Sequence, residues 1–225
     1  MLRALKTNFR SNPNIGLYAY ATDEYCLVGP EVPEEMHKEI ADILGVPVHV
    51  CTIAGTGLVG VFLAGTNETL LIPHITNEHE RERLIDLGIS YAVIETDHTA
   101  LGNNLVCTKN GCLASTEYSE NERRAISDAL GVPVKAFRVG EEVTVIGSCL
   151  ATTSTGCLAH KGLADFEAAM AQSTLGVPVM LGTVNLGNPY VRSGLIANSY
   201  GMLIGDLSGG PEIVNAEEAL RGADQ

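Results

Sequence analysis

Apolar and polar positions along this chain follow a pattern that repeats. An apolar helical stretch ends in Leu-Gly and runs into an apolar extended stretch at Leu44–Val48, Leu130–Val134 and Leu175–Val179, each reading LGVPV, and in a weaker copy at Leu87–Tyr91. The steps from Leu to Leu are 43, 43 and 45 residues. A fixed period of this size marks an array of structural repeats. A second phrase keeps the same step: Thr22-Asp23-Glu24-Tyr25, Thr66-Asn67-Glu68-Thr69, Thr108-Lys109-Asn110-Gly111, Thr153-Ser154-Thr155-Gly156 and Asn198-Ser199-Tyr200-Gly201. Each lies between two apolar runs, as tight hairpin turns do. Six residues upstream stand Gly16, Gly60, Gly102 and Gly147, and in the last copy Arg192.

Each unit therefore predicts strand, turn, strand, helix and a further strand after Leu-Gly. Pro33, and the capping-box spacings Asn77 with Glu80 and Ser119 with Glu122, open helices. Pro211 opens the last one. Met36, Ile40, Ile43 and Leu44 form one apolar helical stripe, and Phe166 with Met170 another. The Gly after each Leu ends the helix in a left-handed conformation, and Val-Pro-Val then begins a strand.

The fifth unit lacks its final strand, while residues 2–9 occupy the place of such a strand relative to Gly16. The expected architecture is α/β, a closed propeller-like ring of five units with pseudo-fivefold symmetry, its N-terminal strand completing the last unit. The units span about 10–53, 54–96, 97–140, 141–184 and 185–225 plus 2–9. An open layered α/β protein with coincidental spacing is the alternative.

Composition narrows the function. The 225 residues are 45% hydrophobic, enough for a sizeable core, with 24 Gly, 5% aromatics and no Trp. No run approaches a membrane span, and no signal peptide is apparent, which points to the cytoplasm. The net charge of −13 disfavours a broad electrostatic grip on DNA or RNA and suits basic protein partners or solubility in salt.

The chain has six Cys and six His. Cys26, Cys112 and Cys157 repeat at one strand position, as small apolar core residues would. With Asn110-Gly111 as a two-residue turn, Cys107 would face Ala114 and not Cys112, so no disulfide is expected there. No zinc spacing, HExxH, Walker loop or strand-following GxGxxG occurs. No metal or cofactor is expected.

The phrases Asn14-Ile15-Gly16, Ile53-Ala54-Gly55, Leu70-Leu71-Ile72-Pro73, Ala100-Leu101-Gly102-Asn103 and Gly182-Thr183-Val184-Asn185 span the chain. In this order the sequence resembles the archaeal and eukaryotic translation initiation factor 6 family. The resemblance implies a pentein ring. It also implies a ribosome anti-association factor, held on the intersubunit face of the large ribosomal subunit near the sarcin–ricin loop and neighbouring ribosomal proteins. Such a factor blocks the small subunit sterically, without catalysis.

Asn103, carried over from Ala-Leu-Gly-Asn, is the leading contact candidate, with Gly16, Gly65, Thr66, Asn67 and Asn185 beside it. Tyr190 and Arg192 are of the types enriched at binding hot spots. For each Gly the competing role is backbone packing, and for Asn103 a turn bond to its own backbone. A monomer is expected, without membrane or DNA partners. The rival from another class is a guanidino-group-modifying pentein enzyme with a Cys nucleophile, and a third reading is an acidic scaffold for some other basic partner.

Overall fold

The computed structural model describes residues 2–222. Residues 223–225, the expected end of the fifth unit, lie outside the described residues. Strand β1 (Arg3–Thr7) comes first. A 3-10 turn at Ile15–Leu17 leads to β2 (Ala19–Ala21), β3 (Cys26–Val28), α1 (Glu34–Leu44) and β4 (Val48–Val50). The second unit holds α2 (Val59–Phe62), β5 (Ala64–Gly65), β6 (Leu70–Pro73), α3 (Glu78–Asp86) and β7 (Tyr91–Ile94). The third holds α4 (Leu101–Asn104), β8 (Leu105–Cys107), β9 (Cys112–Ser115), α5 (Glu120–Leu130) and β10 (Val134–Phe137). The fourth holds α6 (Ile146–Cys149), β11 (Leu150–Thr152), β12 (Cys157–His160), α7 (Asp165–Leu175) and β13 (Val179–Gly182). A 3-10 turn at Val191–Gly194 opens the last unit, with β14 (Leu195–Ala197), β15 (Gly201–Gly205) and α8 (Gly210–Arg221).

These strands form five three-stranded sheets. In four of them, an antiparallel hairpin is followed by a helix that returns the chain as a parallel third strand, as in β2-β3-β4. The fifth sheet takes β1 as that third strand, parallel to β15 from Arg3 opposite Gly201 to Thr7 opposite Gly205. The N-terminal strand thus completes the last unit. The sheets do not join into one another, so the expected closed propeller is not formed by hydrogen bonding between units. Side-chain packing joins them.

The middle strands show how. Cys26 and Val28 point into a core with α1, while Leu27 between them points into the core of the second unit. Leu70 and Ile72 share that second core, and Leu71 belongs to the third. Cys112 and Ala114 face the third core and Leu113 the fourth; Cys157 and Ala159 face the fourth and Leu158 the fifth. Met202 and Ile204 face the fifth, and Leu203 reaches the first. Strand periodicity of two sends alternate residues to opposite faces. Both faces of each middle strand are covered, which is why these strands are continuously apolar. The repeated Cys residues are core members, fully buried.

Hairpin turns add polar links between units. The Thr108 hydroxyl donates to Leu175 O at 2.7 Å, at the end of α7, and Thr153 to Leu220 O at 2.6 Å, near the end of α8. Asn198 Nδ2 donates to Leu44 O at 2.8 Å, at the end of α1. Each bond satisfies a carbonyl that the helix leaves unpaired. The helix-ending glycines Gly45, Gly88, Gly131 and Gly176 all adopt the left-handed conformation, with φ of 67°, 72°, 68° and 68°.

One helical stripe differs from expectation. Phe166 and Met170 are 69% and 41% exposed. The buried face of α7 is Glu167, Ala171, Thr174 and Leu175, one position further on. The helix lies so close to the preceding unit that a Cβ at Gly111 would collide with Thr174 O. Small residues therefore occupy the contact, and the larger apolar side chains turn outward.

Leu203 and Leu27 have equivalent places between adjacent cores. Replacing either with Ala should destabilise the fold by about 2–5 kcal/mol, read as a lower denaturation midpoint with an unchanged slope. Leu203→Ala behaving like a surface substitution would contradict packing between the last and first units.

Candidate functional site

The five short turns at Ile15–Leu17, α2, α4, α6 and Val191–Gly194 pack in succession, and the first also touches the last. Glycine permits the approach: a Cβ at Gly60 would collide with Gly16 O, at Gly102 with Gly60 O, at Gly147 with Gly102 O, and at Gly16 with Arg192 O. The fifth turn carries Arg192 instead. Its Nη1 donates to Gly102 O at 2.8 Å and its Nη2 to Leu63 O at 3.3 Å, in two other units. The guanidinium also lies 5.9 Å from the Tyr20 ring centroid, within cation–π range. Beyond it, β2, β5, β8, β11 and β14 line an axial cavity of about 150 Å³. Hairpin-turn residues Asp23, Asn67, Lys109 and Ser154 border it at the far end of these strands.

At the other end, short turns link one unit to the next. Bridges between Phe9 and Asn12, Ile53 and Thr56, Val139 and Val143, and Val184 and Asn188 close them. Arg10, Ser11, Ala54, Asn185 and Leu186 have positive φ there. Such backbone needs support, because L-residues seldom adopt it. Glutamates on the adjacent helices supply that support. Glu80 accepts from the Ala54 and Gly55 N–H groups at 2.8 and 2.9 Å, and from Asn77 N–H at its own helix start at 2.9 Å. Glu167 accepts from Gly140 N–H and Ala164 N–H. Glu212 accepts from Leu186, Gly187 and Gly209 N–H groups. Glu122 accepts from the Thr96 hydroxyl and Ser119 N–H. One carboxylate thus caps a helix and anchors the neighbouring linker. Met36 stands at the equivalent place in α1, and there Asn8 Oδ1 accepts from Ser11 N–H at 2.8 Å.

The capping-box spacing at Asn77 and Ser119 was legible in the sequence. The second role was not, and Glu167 and Glu212 were missed. Their signal was a glutamate eight residues before Leu175 and Leu220, as Glu122 is before Leu130.

The sequence-selected residues divide between the two ends. Gly65, Thr66 and Asn67 lie at the hairpin-turn end. Gly65 has φ 148°, the Thr66 hydroxyl accepts from Glu68 and Thr69 N–H groups, and Asn67 Nδ2 donates to Asp23 at 3.2 Å. Gly16, Asn103, Asn185, Tyr190 and Arg192 lie on the short turns or the linkers leading to them. Gly16 is buried in turn-to-turn packing. Asn103 is half-buried, its Oδ1 accepting from the Ser148 hydroxyl at 3.0 Å. Asn185 Nδ2 donates to Pro13 O at 3.0 Å. Tyr190 is 38% exposed and stands edge-on to His160, centroids 5.9 Å apart. Arg192 spends two donors on carbonyls inside the ring of turns.

One register reading is corrected. Cys107 faces Cys112 directly, because the hairpin turn closes with Thr108 N–H on Gly111 O and Lys109-Asn110 form its tip. All six thiols are free. Burial pushes Cys26, Cys51, Cys149 and Cys157 up to about 12. A nucleophilic Cys needs the opposite shift. Among the described residues no group of three or more His, Cys, Asp or Glu is placed to hold a metal ion.

The chain is thus a five-unit α/β protein whose linkers are held by side chains of the adjacent helices and whose repeated cysteines pack inside the cores. The eIF-6 family model matches residues 4–219. Relatives named translation initiation factor 6 include those of Thermococcus gammatolerans, 43% identical over 221 residues and 96% of each chain, and of Aeropyrum pernix, 43% identical over 96% of this chain and 94% of the relative. That of Natronomonas pharaonis is 41% identical over 96% of this chain and 98% of the relative. The chain belongs to the eIF-6 family, whose members are translation initiation factors acting in protein biosynthesis.

The anchoring glutamates give an acid-sensitive term to stability. Burial pushes Glu80 and Glu212 up, but the hydrogen bonds they accept outweigh it and hold both below the ordinary 4.5. The Ser119 and Thr96 hydroxyls hold Glu122 down likewise. Lowered carboxyls stabilise the fold above the unfolded pKa, and that contribution is lost as pH falls through their folded values. The triple variant Glu80→Gln, Glu122→Gln, Glu212→Gln should melt lower than wild type at neutral pH. The gap should shrink on acidification below about pH 4, as thermal unfolding across pH would show.

Proposed function

We propose that this chain binds the large ribosomal subunit at the face that meets the small subunit, near the sarcin–ricin loop and adjoining ribosomal proteins. There it prevents subunit joining by its bulk. It acts in the cytoplasm as a monomer, without cofactor or catalysis. Membership of the eIF-6 family and the resemblance in sequence support this reading. The structural observation that carries it is the row of linkers held by carboxylates of the adjacent helices. Loops already ordered lose little entropy on docking. The linker end is the docking end on this reading, with Asn103, Asn185 and Tyr190 as contacts and the exposed Leu186 beside them. Neutral amide side chains offer both donors and acceptors to RNA and protein alike. On an acidic surface they avoid adding charge repulsion. Arg192 and the Gly65–Asn67 turn serve the framework behind that surface.

Sedimentation tests the function directly. Added to separated subunits, the chain should comigrate with large but not small subunits, and whole ribosomes should fail to form. Comigration with small subunits, or unimpeded joining at saturating chain, would sink the reading. Asn103→Ala should weaken binding about tenfold, or about 1.4 kcal/mol. It also removes one half-buried hydrogen bond, worth about 1 kcal/mol of stability. Ser148→Ala removes that same bond and keeps the amide, so it should lower the melting temperature equally while binding stays near wild type. Equal binding losses in the two variants would assign Asn103 to packing alone.

A further inference from the structure

Cys107 and Cys112 are directly opposed on β8 and β9, with sulfurs 3.4 Å apart. The neighbouring pair, Thr108 with Gly111, is hydrogen-bonded, and Cys112 N–H donates instead to Pro133 O, just before β10. Cys107 and Cys112 therefore form a non-hydrogen-bonded antiparallel pair. In such pairs the Cα atoms approach to about 4.5 Å. That lies within the range of about 4.4–6.8 Å that a disulfide spans.

The two thiols differ in access. Cys112 is fully buried, as are Cys26, Cys149 and Cys157, and Cys51 is nearly so. Cys107 alone of the six is half-buried, and it lines the axial cavity. About 150 Å³ holds several molecules the size of water, each occupying about 30 Å³. A peroxide of similar size fits. The Arg192 guanidinium borders the same cavity, a fixed positive charge beside a wall that carries a thiol.

We propose that Cys107 and Cys112 are an oxidant-responsive dithiol, in which a peroxide admitted to the axial cavity converts the pair into a disulfide within one hairpin. The Cys107 sulfur, having given up its proton, attacks one peroxide oxygen. The O–O bond breaks, leaving a sulfenic acid on Cys107 and a hydroxide that takes up the released proton as water. The Cys112 sulfur then attacks the Cys107 sulfur as its own proton departs. The S–O bond breaks, and the hydroxide leaves with that proton as a second water. Two thiols are oxidised to one disulfide and one peroxide is reduced to two waters. The order is set by access and by protonation. The hydrogen bond with Cys107, and burial, hold the Cys112 thiol well above the ordinary range, so it waits as the resolving partner. Both residues already face each other, so the bond closes without rearrangement of the fold.

The test treats the folded, reduced chain with hydrogen peroxide and maps its peptides. Two of the six thiols should be lost, with a mass decrease of two hydrogens in one molecule, and the joined residues should be Cys107 and Cys112. Dithiothreitol should restore both. In Cys112→Ser the reaction should stop at a sulfenic acid on Cys107 that dimedone traps, and in Cys107→Ser the rapid thiol loss should vanish. Substoichiometric iodoacetamide on the native wild-type chain gives an independent reading that needs no variant. Cys107 should be alkylated first, and that modification should block peroxide-driven disulfide formation. A disulfide joining other cysteines or two molecules would overturn the proposal. So would six intact thiols after an exposure that oxidises free cysteine, or first alkylation elsewhere.

Discussion

Two-sided burial of the five middle strands is the constraint on which this structure depends. A three-stranded sheet with one helix has a covered face and an open one. Leaving an apolar open face in water forfeits about 25 cal/mol for each Å². Here that face is closed by the next unit, so Leu27, Leu71, Leu113, Leu158 and Leu203 each complete a core that is not their own unit's. No unit has a finished core alone. The sheets can remain unconnected by hydrogen bonds because this shared packing, with the Thr and Asn links to helix ends, carries the junctions.

The same constraint explains the character of the candidate site. Strands of two to five residues leave little room for adjustment along the axis. The turns at the start of those strands are pressed together wherever glycine allows, and four of the five linkers behind them take left-handed backbone conformations to make the tight return. Strain of that kind persists only where neighbours over-determine it. The anchoring glutamates do so, and they belong to helices whose other face forms the shared cores. Linker position is thus coupled to core packing through one glutamate in four of the five units.

Much of this was legible in the sequence because repetition exposes it. The Leu-Gly phrase located the helix ends, its glycines being left-handed as expected. The place of residues 2–9 in the period located β1 beside β15. What was not legible depended on contacts between units. A helical stripe drawn through Phe166 and Met170 ignores how near α7 lies to Gly111, which admits only small residues. Asn-Gly signalled a two-residue turn at Asn110-Gly111, yet Asn110 Nδ2 donates to Leu175 O across the unit boundary and the turn closes one residue earlier. That one-residue shift of the turn moves the pairing by two residues and brings Cys107 opposite Cys112. The linker glutamates were half visible, since a capping box announces its helix but not what else its carboxylate holds.

Arg192 shows the limit of reading a repeat by its majority. Four units place glycine where turns converge, and the fifth places the largest basic side chain. The guanidinium crosses to carbonyls of the second and third units and lies over Tyr20 of the first. Five copies could not coexist there, because like charges would crowd one small space and each needs acceptors that the others would occupy. A single copy is possible because pseudo-symmetry lets one unit depart. The departure has a place in the packing: one arginine can fill a space near the axis only when the other four positions stay empty of side chains.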